Sequence, residues 1–269
     1  MKPRSSAWIV GFAVAGCVPS GSAGPDGGTS APAEIRPTAA PPRGPATASP
    51  TVELLRAPFE DSFDRPAGPI PTASATAPAT SAPAVDPGRD WIATAPNTWR
   101  LEGGRLCGDH AHNHGVWLKR VLPVNARIEF DAVSDATDGD IKAECWGDGL
   151  SSATALSYTN ATSYLTIFGG WHNKFHVLAR MNEHGGDRKE ITVDPSSDDP
   201  REKPVVAGQL YRFKVERADG KTVKWWVDGN EMLSYPDSAP LAGVGHEHFG
   251  FNDWEVKVCF DNVRIVPLP

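Results

Sequence analysis

The sequence has no C-x-x-C pair, no basic stripe and no segment with a sustained 3.6-residue apolar period. Each absence removes a class of protein. Without paired C-x-x-C cysteines there is no zinc knuckle and no thiol redox motif. A formal charge of −7 with no clustered Lys and Arg lacks the electrostatic footprint of a nucleic-acid binder, so no nucleic-acid partner is expected. Without a helical apolar stripe there is no helix bundle. The N-terminal apolar run, Ala7 to Ala15, is too short to span a bilayer as a mature helix.

That run does carry information. It follows a short basic stretch, Met1 to Arg4, and precedes Val14-Ala-Gly-Cys17, which reads as a signal peptide over residues 1–17. Its ending resembles the bacterial lipobox, which implies lipidation at Cys17 and a membrane partner reached through the acyl chains. Val18 and Pro19 in place of Asp point, by the same resemblance, to the outer membrane or cell surface. Residues 18–51 are nearly all Gly, Ser, Ala, Pro and Thr, too poor in apolar groups to offset ordering entropy, and read as a disordered tether. A second such stretch, residues 66–88, reads as a disordered insertion within a folded domain that spans residues 52–269, because Phe59 and Phe63 precede it. Apart from Cys17, the cysteines are Cys107, Cys145 and Cys259. In an exported domain, one disulfide and one buried free thiol are expected, with the pairing open.

The clearest local structure is Leu210 to Tyr235, three strands joined by Asp219–Gly220 and Asp228–Gly229. Tyr211, Phe213 and Val215 alternate with Arg212, Lys214 and Glu216, the period of a half-buried strand. Asp-Gly suits the positive φ of tight hairpins. Val223, Trp225 and Val227 share one face of the next strand, leaving Trp226 on the other. Similar alternation recurs at Asn125 to Val133, Asp140 to Trp146, Ser163 to Phe168, Phe175 to Met181 and Glu255 to Val266. A dozen short strands with glycine-rich turns predict an all-β, two-sheet antiparallel sandwich.

Several motifs sharpen this. F-x-D-x-F at Phe59 to Phe63, W-x-L-x-x-G-x-L at Trp99 to Leu106, V-W-L at Val116, W-x-V-D-G at Trp225 and F-D-N-V-R-I at Phe260 to Ile265 resemble those of concanavalin A-like jelly rolls. The chain is similar to the laminin-G-like and 3-keto-disaccharide-hydrolase-like bacterial domains. That resemblance implies a jelly roll whose first and last strands lie side by side. It also implies a sandwich that binds or cleaves sugars.

Sugar recognition needs aromatic rings for the apolar faces of pyranoses, with carboxylates, amides and Arg for the hydroxyls. Candidates of suitable parity are Asp140, Glu144, Trp146, Trp171, Arg180, Glu183, Trp226, Asn252 and Trp254. The stretch Phe168 to His184 breaks plain alternation and gathers Trp, Asn, Arg, Glu and His beside glycines, which let a ligand approach the backbone. The E-x-D-x-x-E motif of the related bacterial β-glucanases is incomplete, since Glu129 and Asp131 are followed by Ser134. Asp140 and Glu144 would stand about 13 Å apart on an extended strand, too far for a retaining pair. His110, His112 and His114, with His246 and His248, would chelate a transition metal if extended. Asp135, Asp138 and Asp140 around Gly139 could hold a structural calcium ion; no other cofactor is called for. Three functions stay open: a glycan-binding lipoprotein, a glycoside hydrolase-like enzyme of the same fold, and a structural or protein-interaction module of the envelope.

Overall fold

The computed structural model describes residues 54–72 and 89–269. The signal peptide, Cys17, the tether and residues 73–88 of the expected insertion lie outside the described residues. Among the described residues, sixteen strands form two antiparallel sheets. They are β1 (Phe59–Asp61), β2 (Gly68–Pro69), β3 (Trp91–Ala93), β4 (Trp99–Glu102), β5 (Arg105–Asp109), β6 (Val116–Leu118), β7 (Ala126–Ser134) and β8 (Ile141–Gly147). They continue with β9 (Tyr164–Gly169), β10 (Phe175–Arg180), β11 (Lys189–Thr192), β12 (Leu210–Arg217), β13 (Thr222–Val227), β14 (Asn230–Pro236), β15 (His248–Asn252) and β16 (Lys257–Pro267). The larger sheet runs β14-β13-β12-β7-β16-β5-β4-β2, with β1 also on β16; the smaller runs β11-β10-β9-β8-β15-β6-β3. This is the jelly-roll sandwich that the strand pattern predicts.

The hairpin β13–β14 turns on Asp228 and Gly229, whose φ angles of 48° and 82° are both positive, as a two-residue turn of matching twist requires. Inward residues of the two sheets meet as an aromatic core. Phe251 stacks on Phe260 at 3.9 Å between ring centres, and Phe130 meets Phe251 edge-on at 5.1 Å. All three are buried, and each such side chain contributes about 1.5–3 kcal/mol of burial. On the outward face of the larger sheet, Trp226, Lys214, Glu129, Arg264 and Glu60 pair rung by rung. Arg264 bridges Glu60 and Glu129 at 3.1 Å each. Glu129 therefore belongs to a solvated charge ladder.

The first and last strands are neighbours: Phe59, Glu60 and Asp61 pair with Ile265, Arg264 and Val263. Phe63 is fully buried and Trp91 donates its indole N–H to Asp61 Oδ2 at 2.9 Å, so this segment is part of the domain. Residues 66–72, which composition assigns to the insertion, are instead built into the fold. Gly68–Pro69 pairs with β4, and Ile70 is buried in the core. One apolar residue at the right distance from a β-edge is enough to order a stretch that otherwise reads as linker.

Cys107 and Cys259 face each other on β5 and β16 and form the disulfide, while Cys145 is a buried free thiol. The bridge closes a separation of 152 residues, so it restricts the unfolded chain strongly. Replacing both cysteines with Ser is expected to lower stability by about 2–5 kcal/mol. The readout is a lower urea midpoint, and an unchanged midpoint would refute it.

Candidate functional site

Outward residues of the smaller sheet lie in two rungs across neighbouring strands. One rung runs Trp117, Gly250, Glu144, Leu165, Ala179, and the next runs Asn252, Lys142, Ile167, Val177, Glu190. The loop 148–162 folds over part of this face, where Tyr158 and Ala161 pack against Leu165, Ile167, Val177 and Ala179. Beside that covered area a pocket of about 300 Å³ remains open, lined among others by Asn113, Asp140, Lys142, Leu156, Trp171, His172, Glu183, His184 and Trp254. That volume is at the lower end of small-ligand sites.

Its floor is the ammonium of Lys142, which is 4% exposed. The group lies 3.0 Å from Asn113 Oδ1, 3.3 Å from Asp140 Oδ1 and 3.5 Å from Glu183 Oε2. Burial works to lower its pKa, but Asp140 and Glu183 outweigh it and hold the lysine above its ordinary value, charged. Two carboxylates share this one cation. Burial dominates at Asp140 and raises its pKa. Asp253, behind the same cluster, is raised well above its ordinary value by burial.

Backbone conformation puts these groups in place. Asn113, Asp140, Trp171 and His172 all have positive φ, at 60°, 62°, 54° and 58°. Left-handed backbone costs a non-glycine residue roughly 1–2 kcal/mol, and such outliers persist only where the surroundings over-determine them. Here the surroundings do. Asn173, also left-handed at 59°, donates to the carbonyls of Thr137 and Val205 and accepts from the Val205 N–H. Gly169 donates its N–H to His176 Nδ1 at 3.0 Å. Burial depresses His176 to about 4, so its other ring nitrogen carries the proton and donates to the Lys203 carbonyl. Gly139 and Gly169 let the two turns touch, since a Cβ on Gly139 would sit 2.6 Å from Gly169 O.

The structure brings Asp140, Trp171, Glu183 and Trp254 together around this pocket. Glu144 and Asn252 occupy the same sheet face but are sealed beneath the loop. Glu144 accepts from Asn252 Nδ2 at 2.7 Å, Ser163 Oγ at 2.7 Å and the Tyr158 hydroxyl at 3.1 Å. Three expected residues lie elsewhere. Trp146 has φ of 57° and turns into the core, where Arg217 stacks on it at 4.0 Å and its indole N–H donates to the Pro123 carbonyl. Arg180 binds Asp237 Oδ2 at 2.8 Å and the Ala239 carbonyl. Trp226 is on the outward face of the larger sheet, with Lys214 Nζ 3.7 Å from its ring centre.

The histidine run is not extended, because His110 and His112 have φ of 50° and 49°. His112 instead packs edge-on to Trp254 at 5.0 Å, and His246 and His248 meet the carbonyls of Thr162 and Leu118. Among the described residues, no group of three or more His, Cys, Asp or Glu is placed to hold a metal ion. Of the acidic turn, Asp138 meets His172 at 3.0 Å and Asp140 meets Lys142. Lys142 and Asn113 are the residues that sequence reasoning missed. The signal for Lys142 was its place between Asp140 and Glu144 on one strand face.

No protein-family model matches the chain, and no curated protein sequence matches it. Among solved structures it is similar to a carbohydrate-binding module from Bacillus subtilis, at 18% identity over 65% of this chain and 94% of that one, with a TM-score of 0.45. It is also similar to a Bacillus licheniformis β-glucanase, at 9% identity over 78% and 98% of the two chains, with a TM-score of 0.47. An alginate lyase in complex with an alginate trisaccharide matches at 11% identity over 79% and 99%, with a TM-score of 0.48. These likenesses transfer no residue role to this chain.

Glu144 makes the site's cover sensitive to pH. Burial pushes its pKa from 4.5 up to about 7, against the hydrogen bonds from Ser163, Asn252 and Tyr158. Between those values the folded protein keeps a proton that the unfolded chain has lost. The group's contribution is therefore fully present below pH 4.5, and it falls away as pH rises through about 7, by roughly 3 kcal/mol. Glu144→Gln removes this contribution, so the urea midpoint of the wild type relative to the variant should fall as pH rises from about 5 to about 8, while oppositely titrating groups such as His176 act equally on both curves. Parallel curves would refute the assignment.

Proposed function

We propose that the pocket over Lys142 binds carbohydrate. The observation that carries this reading is the pairing of two half-buried indoles, Trp171 and Trp254, with a buried polar floor of Asn113, Asp140, Lys142 and Glu183. Indoles present flat apolar surface with one N–H donor. The floor presents an amide, an ammonium and carboxylates at fixed positions, the complement of a sugar's hydroxyls. The strained, over-determined turn at Trp171 and His172 supports a binding role, because a rigid aromatic loses little freedom when ligand arrives. The N-terminal lipobox supports a protein held outside the cytoplasm by acyl chains on Cys17, at the outer membrane or cell surface, where glycans are at hand.

A second reading, hydrolysis, has one observation in its favour. Asp140 and Glu183 both lie against the Lys142 ammonium, so two carboxyl groups stand close together, as glycosidases require, and burial raises the pKa of Asp140. Against it, Glu183 is committed to structure. Its Oε1 accepts the Tyr158 N–H at 2.8 Å and so holds the covering loop.

The two readings separate by mutation. For a binding protein, Trp171→Ala and Trp254→Ala should each weaken glycan affinity roughly tenfold, measured by titration calorimetry against the best binder from a glycan array. For an enzyme, Glu183→Gln should abolish turnover and keep binding. An array with no binder, together with no hydrolysis of cell-wall or plant polysaccharides, would sink both.

A further inference from the structure

A glycan bound along its length needs an open track, because each successive ring must find contacts of its own. The outward face of the smaller sheet offers none. Every residue of its two rungs from β6 to β10 is buried, and only Glu190, on the edge strand β11, is exposed. Two covers close the face. Trp117 lies across Gly147 and Gly250, where an added Cβ would come within 2.6 and 2.9 Å of its ring, and its indole N–H donates to the Ser151 carbonyl. Tyr158 and Ala161 of the loop 148–162 cap Leu165, Ile167, Val177 and Ala179. The loop is fastened by the Tyr158 N–H on Glu183, the Tyr158 hydroxyl on Glu144 and the Ala153 N–H on the Asn113 carbonyl. The pocket over Lys142 lies where this cover ends, and the same loop supplies one of its walls through Leu156 and Ser157. At about 300 Å³, it stands at the bottom of the roughly 300–1,000 Å³ range of small-ligand sites. That is room for one sugar residue and not for a run of them.

We propose that the site recognises the end of a glycan chain: it holds one terminal residue and leaves the rest of the chain in solvent. This rests on the carbohydrate reading above and adds which part of the glycan is recognised. The terminal residue would lie against the indoles of Trp171 and Trp254, with its hydroxyls toward the Lys142 floor. A chain laid along the sheet would have to displace Tyr158 and Trp117 together with the hydrogen bonds that they make. Each bond broken would leave a buried group unpaired, Glu144 among them, a penalty that the added sugar contacts would first have to offset. A site for chain ends gains little from residues beyond the first, so its affinity saturates early.

The test is titration calorimetry of the full chain with the mono-, di-, tetra- and hexasaccharides of the cellulose, laminarin, mannan and chitin series. A binder found outside these series on a glycan array is put through the same comparison of lengths. Within any series that binds, affinity should rise no more than about threefold from the disaccharide to the hexasaccharide. A linear polysaccharide of the same linkage should take up one protein per chain, so its capacity per gram should fall as its chains lengthen. Affinity that climbs about tenfold or more over that range, or several proteins on one linear chain, would overturn the inference and leave the carbohydrate reading standing. Leu156→Ala, at a wall residue that is 80% exposed, should change every affinity in a series by the same factor. A loss that grows with oligomer length would put the glycan over the covering loop and overturn the inference too. If no member of the four series binds and the array finds no other binder, both readings fall together.

Discussion

The arrangement around the pocket depends on one buried cation. An ammonium taken out of water is tolerated only with ion-pair and hydrogen-bond partners close by. Lys142 draws its partners from separate places in the chain: Asn113 from the loop before β6, Asp140 from the turn that opens β8, and Glu183 from the turn after β10. Asn113 further accepts the Ala153 N–H, and Glu183 the Tyr158 N–H, so the covering loop is tied to the same centre. Removing one partner would leave a buried charge uncompensated, and that penalty holds four loops in register.

The division between sandwich and loops explains how much of the molecule could be read in advance. Strand parity and Asp-Gly turns located the meander of β12 to β14, and the terminal motifs placed β1 against β16. Parity fails where extended backbone is interrupted. Trp146 sits two residues beyond Glu144 and should share its face, but its positive φ and the shift in register between His248 and Phe249 on the neighbouring strand turn it inward. A one-residue irregularity reverses a side chain's face. His110 to His114 failed as a chelating row for the same reason.

The site was legible in its residue types and less so in its geometry. Phe168 to His184 stood out because it broke alternation, and it supplies Trp171, His172, Glu183 and His184 to the pocket. Nothing in the sequence announces that Trp171 to Asn173 adopt left-handed backbone, since tryptophan and histidine are poor residues for it and only the Asn173 side-chain clamp makes it hold. Asn113 was hidden by the histidines around it. Trp226 was read correctly as facing away from Trp225, but facing outward from the larger sheet puts it on the wrong side of the sandwich for the pocket. Parity tells inside from outside. It does not tell which outside.

Glu144 and Lys142 are separated by one residue on β8 and solve the same problem in opposite ways. Each is an ionisable group on the outward face of the smaller sheet that folding removes from water. Glu144 receives only neutral donors, a serine, a tyrosine and an asparagine, and is sealed by the loop; its environment moves it toward neutrality. Lys142 has the carboxyl groups of Asp140 and Glu183 beside it and lines an open pocket, so its environment keeps it ionised. A closed, neutral cluster has no demand left for a ligand. An open cluster of charged groups keeps part of its surface in contact with solvent, and that difference in closure, more than the presence of any single aromatic, is why the proposed site is placed over the second of these two neighbours.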